Sequence, residues 1–190
     1  MVAYVKVMSK KEVSAVLASP AATASNAHQN QIIARLAICC GLRVSEIARL
    51  DCSDVELGDR PHLRVVGKGG RRRVVPLHWD RGTLAAIAAW KELRISGPLV
   101  CSLAKSSYGK RLSRRNIQRR WTTALKRAGV TRRVSIHCGR HTFCTFALLG
   151  GKSLIAVRDA AGHANVSTTS HYLHLVEWVA DLSIGDLFDV

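Results

Sequence analysis

A chain of 190 residues, 47% of them hydrophobic, is of single-domain size and carries enough apolar material for a real core. Its 29 Lys and Arg against 13 Asp and Glu give a formal charge of +16, which favours a polyanionic partner through charge neutralisation and counterion release. No run approaches the roughly 18 consecutive apolar residues of a membrane span, and the N-terminus lacks a signal-peptide pattern, so a membrane partner is not expected and a cytoplasmic location is.

In chain order, Ser9 and Glu12 form a capping box that opens a short helix through about position 17. The Ala/Ser-rich stretch 19–26 reads as a loop or linker. A longer helix follows over 28–40, with Ile32, Ile33, Leu36 and Cys40 on one face and Gly41 as its C-cap. Arg43 lies in the loop entering the next helix, 44–50, where a side-chain cation and a helix N-terminus favour the same anion. Glu46, three residues on, is placed to orient its guanidinium.

Between 57 and 77 the pattern turns to β: Leu63, Val65 and Val66, then Gly67-Lys68-Gly69-Gly70, then Val74, Val75 and Leu77. That reads as an antiparallel hairpin with Lys68 on its Gly-rich tip. Asp80 caps a helix over 81–95 and Ser113 another over 114–128, with Gly129 behind it. Further helices are expected over 138–149, from the Ser153 cap to Gly162, and over 167–175. The fold class is therefore mainly α with one small antiparallel sheet.

Charge is distributed unevenly. From Arg94 through Arg158 there is no Asp or Glu, against 15 Lys or Arg. Apolar residues such as Ile117, Trp121, Leu125 and Phe143 interleave with that block, so it folds rather than forming a solvated tail. Arg114, Arg115 and Arg119 fall on the exposed side of the 114–128 helix, and Arg71 and Arg72 flank the hairpin tip; these five are the expected backbone contacts to nucleic acid, positioning more than specifying. The same lack of carboxylates argues against a magnesium-dependent nuclease. Six cysteines show neither a Cys-x-x-Cys pair nor scaffold density, and are expected reduced and buried. Cys138, His141 and Cys144 share a helix face, but no second ligand pair completes a tetrahedral zinc site. No metal and no cofactor is expected.

Five short stretches stand in a fixed order: Gly41-Leu42-Arg43-Val44-Ser45-Glu46, Gly67-Lys68-Gly69-Gly70, His137-Cys138-Gly139-Arg140-His141, Gly162-His163, and 168–174 with Tyr172 inside. Together they resemble the tyrosine recombinase or phage integrase family, with related chemistry in type IB topoisomerases. The resemblance implies a catalytic set of Arg43, Lys68, His137, Arg140, His163 and Tyr172 and the DNA breaking-rejoining fold. Tyr172 would attack a DNA phosphorus to leave a 3′-phosphotyrosine and a free 5′-hydroxyl. Lys68 would protonate the leaving oxygen. Arg43 and Arg140 would clamp the non-bridging oxygens, and His163 would donate to them. His137 takes the tyrosine proton or holds the phosphate; both readings stand. His141 reads as a packed, hydrogen-bonded core histidine. For this chemistry the Tyr172 hydroxyl must lie within reach of Arg43 and Arg140.

The resemblance also implies double-stranded DNA as partner, a nucleoid-associated location and a homo-oligomer, a synaptic tetramer, on DNA. Three functional classes follow: a site-specific recombinase or integrase, a topoisomerase-like nicking and resealing enzyme, and a non-catalytic DNA-binding remnant. The expected organisation is a short N-terminal helix and linker over 1–27, a catalytic domain over 28–176, and a hydrophobic, acidic tail over 177–190 that docks on a neighbouring subunit or folds back. Two departures stand out. Gly139 replaces the usual Leu before Arg140, predicting a loosely held Arg140 loop, since Gly at a helix start costs up to ~1 kcal/mol relative to Ala; Ala161 likewise replaces a Leu. The family's usual N-terminal DNA-clamping domain has no counterpart here, so an excised catalytic domain, a minimal integrase or a remnant is expected, with weak, salt-dependent DNA binding.

Overall fold

The computed structural model describes residues 7–18, 24–163 and 172. Among the described residues, seven α-helices and a three-stranded sheet run in the order α1 (Lys10–Ala18), α2 (Ala24–Ile38), α3 (Val44–Arg49), β1 (Val55–Glu56), β2 (His62–Val66), β3 (Arg72–Pro76), α4 (Arg81–Leu93), α5 (Arg114–Arg127), α6 (Ile136–Leu149) and α7 (Leu154–Ala161). The mainly helical class with a small antiparallel sheet is as expected. The sheet order is β1-β2-β3, both pairings antiparallel, with Leu63 opposite Val75 and Arg64 opposite Val74. The two-residue β1 is a strand the sequence reading did not include.

Local signals act where they were read. Ser9 and Glu12 exchange reciprocal bonds at the start of α1. Asp80, Ser113 and Ser153 each accept a backbone N–H three residues on, at the starts of α4, α5 and α7. Two boundaries move. The stretch expected as linker is helical from Ala24, where Ala favours helix. That added turn is anchored from α5, because Arg120 donates to Asn26 at 3.2 Å and to Asn30 at 3.0 Å, one turn apart. α6 begins at Ile136, two residues before the expected start, so His137 stands on the same helix as Arg140. The expected 167–175 helix, Tyr172 apart, and the 177–190 tail lie outside the described residues.

The core is organised around α2 and α6. α2 packs on α4, α5 and α6, and nearly all of α6 is buried from Cys138 to Leu148. Gly139 is the reason the two helices come so close: a Cβ there would sit 3.2 Å from the backbone carbon and oxygen of Ala37. The expectation of a loosely held Arg140 is therefore corrected, since Gly139 seats the helix and Arg140 is only 1% exposed. Thr142 ties the N-terminal segment to α6, accepting the Met8 N–H at 3.0 Å while donating to the Cys138 carbonyl. Buried indoles are satisfied: Trp90 donates to the Leu99 carbonyl and Trp121 to that of Val134. A second, smaller apolar cluster joins α6 to α7 through Phe143, Ala147, Val157 and Ala160, and it includes Tyr172. All six cysteines are free and buried.

Gly41 is the hinge between the core and the site. It ends α2 at φ 62°, and the Phe143 ring lies where its side chain would be, with Cδ1 2.4 Å from an ideal Cβ. Gly41→Ala is expected to lower unfolding free energy by about 2–4 kcal/mol, combining left-handed strain with overpacking. Gly129→Ala, at φ 71° with nothing within 4 Å of its Cβ, should cost only about 1 kcal/mol. Urea unfolding of the two variants separates the contributions; equal losses would contradict the packing account.

Candidate active site

Arg43 occupies the N-cap of α3 in extended backbone, just beyond the Gly41 turn. Its backbone N–H donates to one Glu46 carboxylate oxygen at 2.8 Å and its guanidinium to the other at 2.9 Å. Glu46 is 3% exposed and also receives a two-pronged fork from Arg73 of β3, at 2.9 and 2.8 Å. Burial alone would raise the Glu46 pKa, but the hydrogen bonds and charge of Arg73, helped by Arg43, hold it below the usual carboxylate value. Glu46 is therefore an anion, and it keeps two guanidiniums side by side.

Arg140 approaches from beneath, out of the buried face of α6. One terminal nitrogen donates to the Gly41 carbonyl at 2.8 Å; the other, Nη2, is buried with no hydrogen-bond partner among the described residues. Burial and the nearby Arg43 charge bring its pKa down to about 10, so it remains cationic at neutral pH. A buried, charged N–H without a partner is costly in any protein, and an incoming anionic oxygen would satisfy it.

The remaining residues surround Arg43. On one side a cavity of about 770 Å³ is lined by Arg43, Lys68, Arg71, Arg72 and His163. On the other, a groove of about 1030 Å³ runs from Arg43 past His137 to Gln118, Lys126 and Arg133. Lys68 is exposed on a turn that closes with a Gly67 N–H to Arg71 carbonyl bond of 2.8 Å, and Gly69 and Gly70 adopt positive φ. His137 is exposed in the first turn of α6, and its pKa is lowered by partial burial, then by Arg140 and Arg43. His163 follows Gly162, the left-handed residue that ends α7. Its pKa falls to about 4, from burial and then from Arg140 and Arg43. The backbone-binding expectations also find exposed positions: Arg71 and Arg72 at the hairpin, and Arg114, Arg115 and Arg119 on the outer face of α5.

Tyr172 departs from expectation. It is 3% exposed, and its hydroxyl lies 2.5 Å from His141 Nδ1 rather than on the guanidinium forks. The His163 ring stacks on it with centroids 6.3 Å apart and planes 5° from parallel. Burial, then the neighbouring Cys144, push its pKa up, while Arg140 pulls it down. The hydroxyl is thus within the field of Arg140 but enclosed. The physical reason is that the ring completes the apolar α6–α7 cluster, where a phenol buries favourably if its O–H finds an acceptor.

His141 is the hydroxyl's partner: the expected hydrogen-bonded histidine is found, half-buried rather than fully in the core. Burial, with the charges of His137 and Arg140, lowers its pKa to about 4. It is neutral at pH 7 and shares a hydrogen bond with the Tyr172 hydroxyl through Nδ1. The His137 and His141 rings meet edge to face at 4.5 Å, so a chain of rings runs from the tyrosine to the surface. The four-residue spacing of the two histidines on one helix face was a signal for this. Arg73 was the other residue missed.

The sequence profile of the phage integrase family matches residues 6–177. A tyrosine recombinase XerC of Pelobacter propionicus is 38% identical over 135 residues, which are 71% of this chain and 44% of that protein. The chain spans about half the length of the curated relatives it matches. Among solved structures, XerA recombinase superposes with a TM-score of 0.76 at 25% identity, covering 95% of this chain and 66% of that one. The XerH recombinase, solved bound to its difH substrate in a post-cleavage complex, gives a TM-score of 0.76 at 21% identity over 95% of this chain and 53% of that one, a likeness of fold.

The histidine shifts carry a stability consequence. His141 and His163 have folded-state pKa values near 4, below the ordinary 6.5, so between those values the unfolded chain binds more protons and stability rises with pH. Urea midpoints should fall steadily from pH 6.5 to pH 4. His141→Asn should flatten part of that slope, and a slope unchanged by the substitution would contradict the burial of a neutral His141.

Proposed function

The chain belongs to the phage integrase family, and from that membership we propose that it is the catalytic unit of a site-specific DNA recombinase that cleaves and rejoins DNA through a 3′-phosphotyrosine. The observation that carries the proposal is a buried, cationic Arg140 whose Nη2 has no hydrogen-bond partner among the described residues, close enough to feel the Arg43 charge and with a tyrosine within its field. Residues 28–176 form the catalytic unit, with α2 reaching back to Ala24.

In the proposed reaction a scissile phosphate enters the cavity shared by Arg43, Lys68 and His163. The two guanidiniums bind its non-bridging oxygens, and neutral His163 donates a ring N–H. Tyr172 Oη forms the new bond to phosphorus as the bond to the 5′-oxygen breaks. The leaving oxygen takes a proton from Lys68, and the phenol proton passes to His137 or to the histidine chain that begins at His141. A phenol of ordinary pKa about 10 resists ionisation at neutral pH by about 4 kcal/mol. Burial increases that resistance, so Tyr172 must turn out of its niche toward the cations before attack. The groups named suffice without a metal.

Double-stranded DNA is the proposed partner, contacted along the backbone by Arg71, Arg72, Arg114, Arg115 and Arg119, and a homo-oligomer on DNA, a synaptic tetramer, is proposed for strand exchange. The tail 177–190 is proposed to dock on a neighbouring subunit.

The test is a library of nicked suicide duplexes with randomised arms, incubated with the protein in EDTA. A covalent adduct is expected, abolished in Tyr172→Phe, and slowed by about 10²–10³-fold in Arg43→Ala and Arg140→Ala. Absence of any adduct, with DNA still bound, would favour a DNA-binding remnant.

A second measurement addresses the backbone contacts. Replacing Arg114, Arg115 and Arg119 singly by Ala should each reduce the slope of log K against log salt by about 1 while leaving sequence preference unchanged. An unchanged slope would remove α5 from the interface.

A further inference from the structure

We propose that Arg73 is a positioning residue that sets Arg43 for phosphate binding by clamping the Glu46 carboxylate from behind, an inference that rests on reading this site as a DNA-cleaving centre. The Arg73 side chain is 10% exposed and Glu46 3%, whereas Arg43 is 34% exposed. The rigid partners of the trio are thus Arg73 and Glu46, and the open one is Arg43. Arg73 spends both terminal nitrogens on Glu46, one per carboxylate oxygen, at 2.9 and 2.8 Å. The Arg43 guanidinium reaches only one oxygen, with one nitrogen, at 2.9 Å. Its second terminal nitrogen makes no contact with Glu46, and Arg43 itself lines both cavities.

Remove the fork, and a buried carboxylate is left with Arg43 as its one side-chain partner. Arg43 would then close onto it bidentately, the geometry a guanidinium prefers with a carboxylate, and turn away from the cavity where a phosphate is to bind. Arg73 in this way protects Arg43 from its own counter-ion.

The same guanidinium reaches the backbone beside two other candidate residues. Its Nε donates to the Ala160 carbonyl at 2.7 Å, in the last turn of α7. Gly162 packs so tightly against it that a Cβ would lie 2.8 Å from Arg73 Cδ, and His163 is the next residue. Gly67, one residue before Lys68, would carry a Cβ 3.5 Å from both Arg73 Nη1 and Glu46 Oε1. One side chain therefore sets α3, the hairpin turn and the end of α7 in a common frame. Lysine cannot replace it, because an ammonium lacks the planar fork and the separate Nε donor.

The experiment compares the full chain with Arg73→Lys, Arg73→Met and Glu46→Gln. It reads thermal unfolding, affinity for a duplex, the single-turnover rate of covalent adduct formation, and the ¹H–¹⁵N signal of Arg43 Nε, assigned by its loss in Arg43→Lys. Arg73→Met is expected to form adduct at least 100-fold more slowly with duplex affinity within threefold of wild type. Arg73→Lys should recover part of that loss, Glu46→Gln should be slowed at least 10-fold, and the Arg43 signal should shift in all three. The proposal is overturned if folded Arg73→Met cleaves within threefold of wild type, if cleavage and affinity fall together, or if the Arg43 signal stays in place. It is also overturned if neither Arg73 variant unfolds cooperatively, since the residue then serves stability first. If the wild-type chain forms no adduct, the recombinase reading fails, and the Arg43 signal alone decides whether Arg73 sets that side chain.

Discussion

The arrangement depends on a single buried anion among converging cations. Arg43, Arg73 and Arg140 are brought together in a chain that already carries a formal charge of +16, and two of them have to stay close with no phosphate between them. Burial, and after it the repulsion of the nearby Arg43 charge, lower the pKa of Arg140. Glu46 offsets that repulsion. Its own desolvation is outweighed by charged hydrogen bonds from two guanidiniums and by the backbone N–H of Arg43. A buried ion pair is weak testimony for stability in general, yet removing one partner is costly because the other charge is stranded.

That geometry is underwritten by close backbone approaches. Gly41 bends the chain over the Phe143 ring and turns its carbonyl to Arg140, and Gly139 lets α6 lie against Ala37. Gly162 gives Arg73 room at the end of α7. Each glycine replaces a side chain that would push two elements apart, so Arg43, Arg73 and Arg140 are placed by the packing of elements. Lys68 stands on an exposed turn, which would suit the proposed role of a general acid that must follow a moving leaving group.

Much of this was legible in the chain itself, and the exceptions have physical causes. Caps at Asp80, Ser113 and Ser153, the Gly-rich hairpin and the mainly helical class with one small antiparallel sheet rest on local chemistry, which a sequence states directly. Arg73 was hidden inside the run Arg71-Arg72-Arg73. Strand alternation nevertheless separates it: Arg73 and the buried Val75 share one face of β3, while Arg72 and Val74 are exposed on the other. An arginine at an inward position should have prompted a search for its carboxylate. Gly139 was read against helix propensity, a local cost, when the deciding term was the distance to α2, which is tertiary. The enclosure of Tyr172 depends on a niche assembled from α6 and α7, and no spacing rule announces it.

That enclosure sets an energetic condition on the proposed chemistry. Withdrawing a phenol ring from an apolar niche forfeits about 2–3 kcal/mol of burial, and breaking the bond to His141 adds about 1 kcal/mol. A gap of about 3–4 kcal/mol leaves the open form populated at well under one part in a hundred. Binding must therefore favour the open form by a comparable amount, and only contacts made differently in the two states can supply it. The unsatisfied Arg140 Nη2 and the open face of Arg43 offer such contacts: a phosphate that meets both gains charged hydrogen bonds, each worth about 1.5–3 kcal/mol, and lies where an emerged Tyr172 would be drawn. The neutral histidines that hold the hydroxyl inside present no positive charge to draw it out as phenolate. Arg140 already lowers the phenol pKa in the closed state, so under the proposed reaction the attraction that would draw the hydroxyl out is the same one that would stabilise it as phenolate.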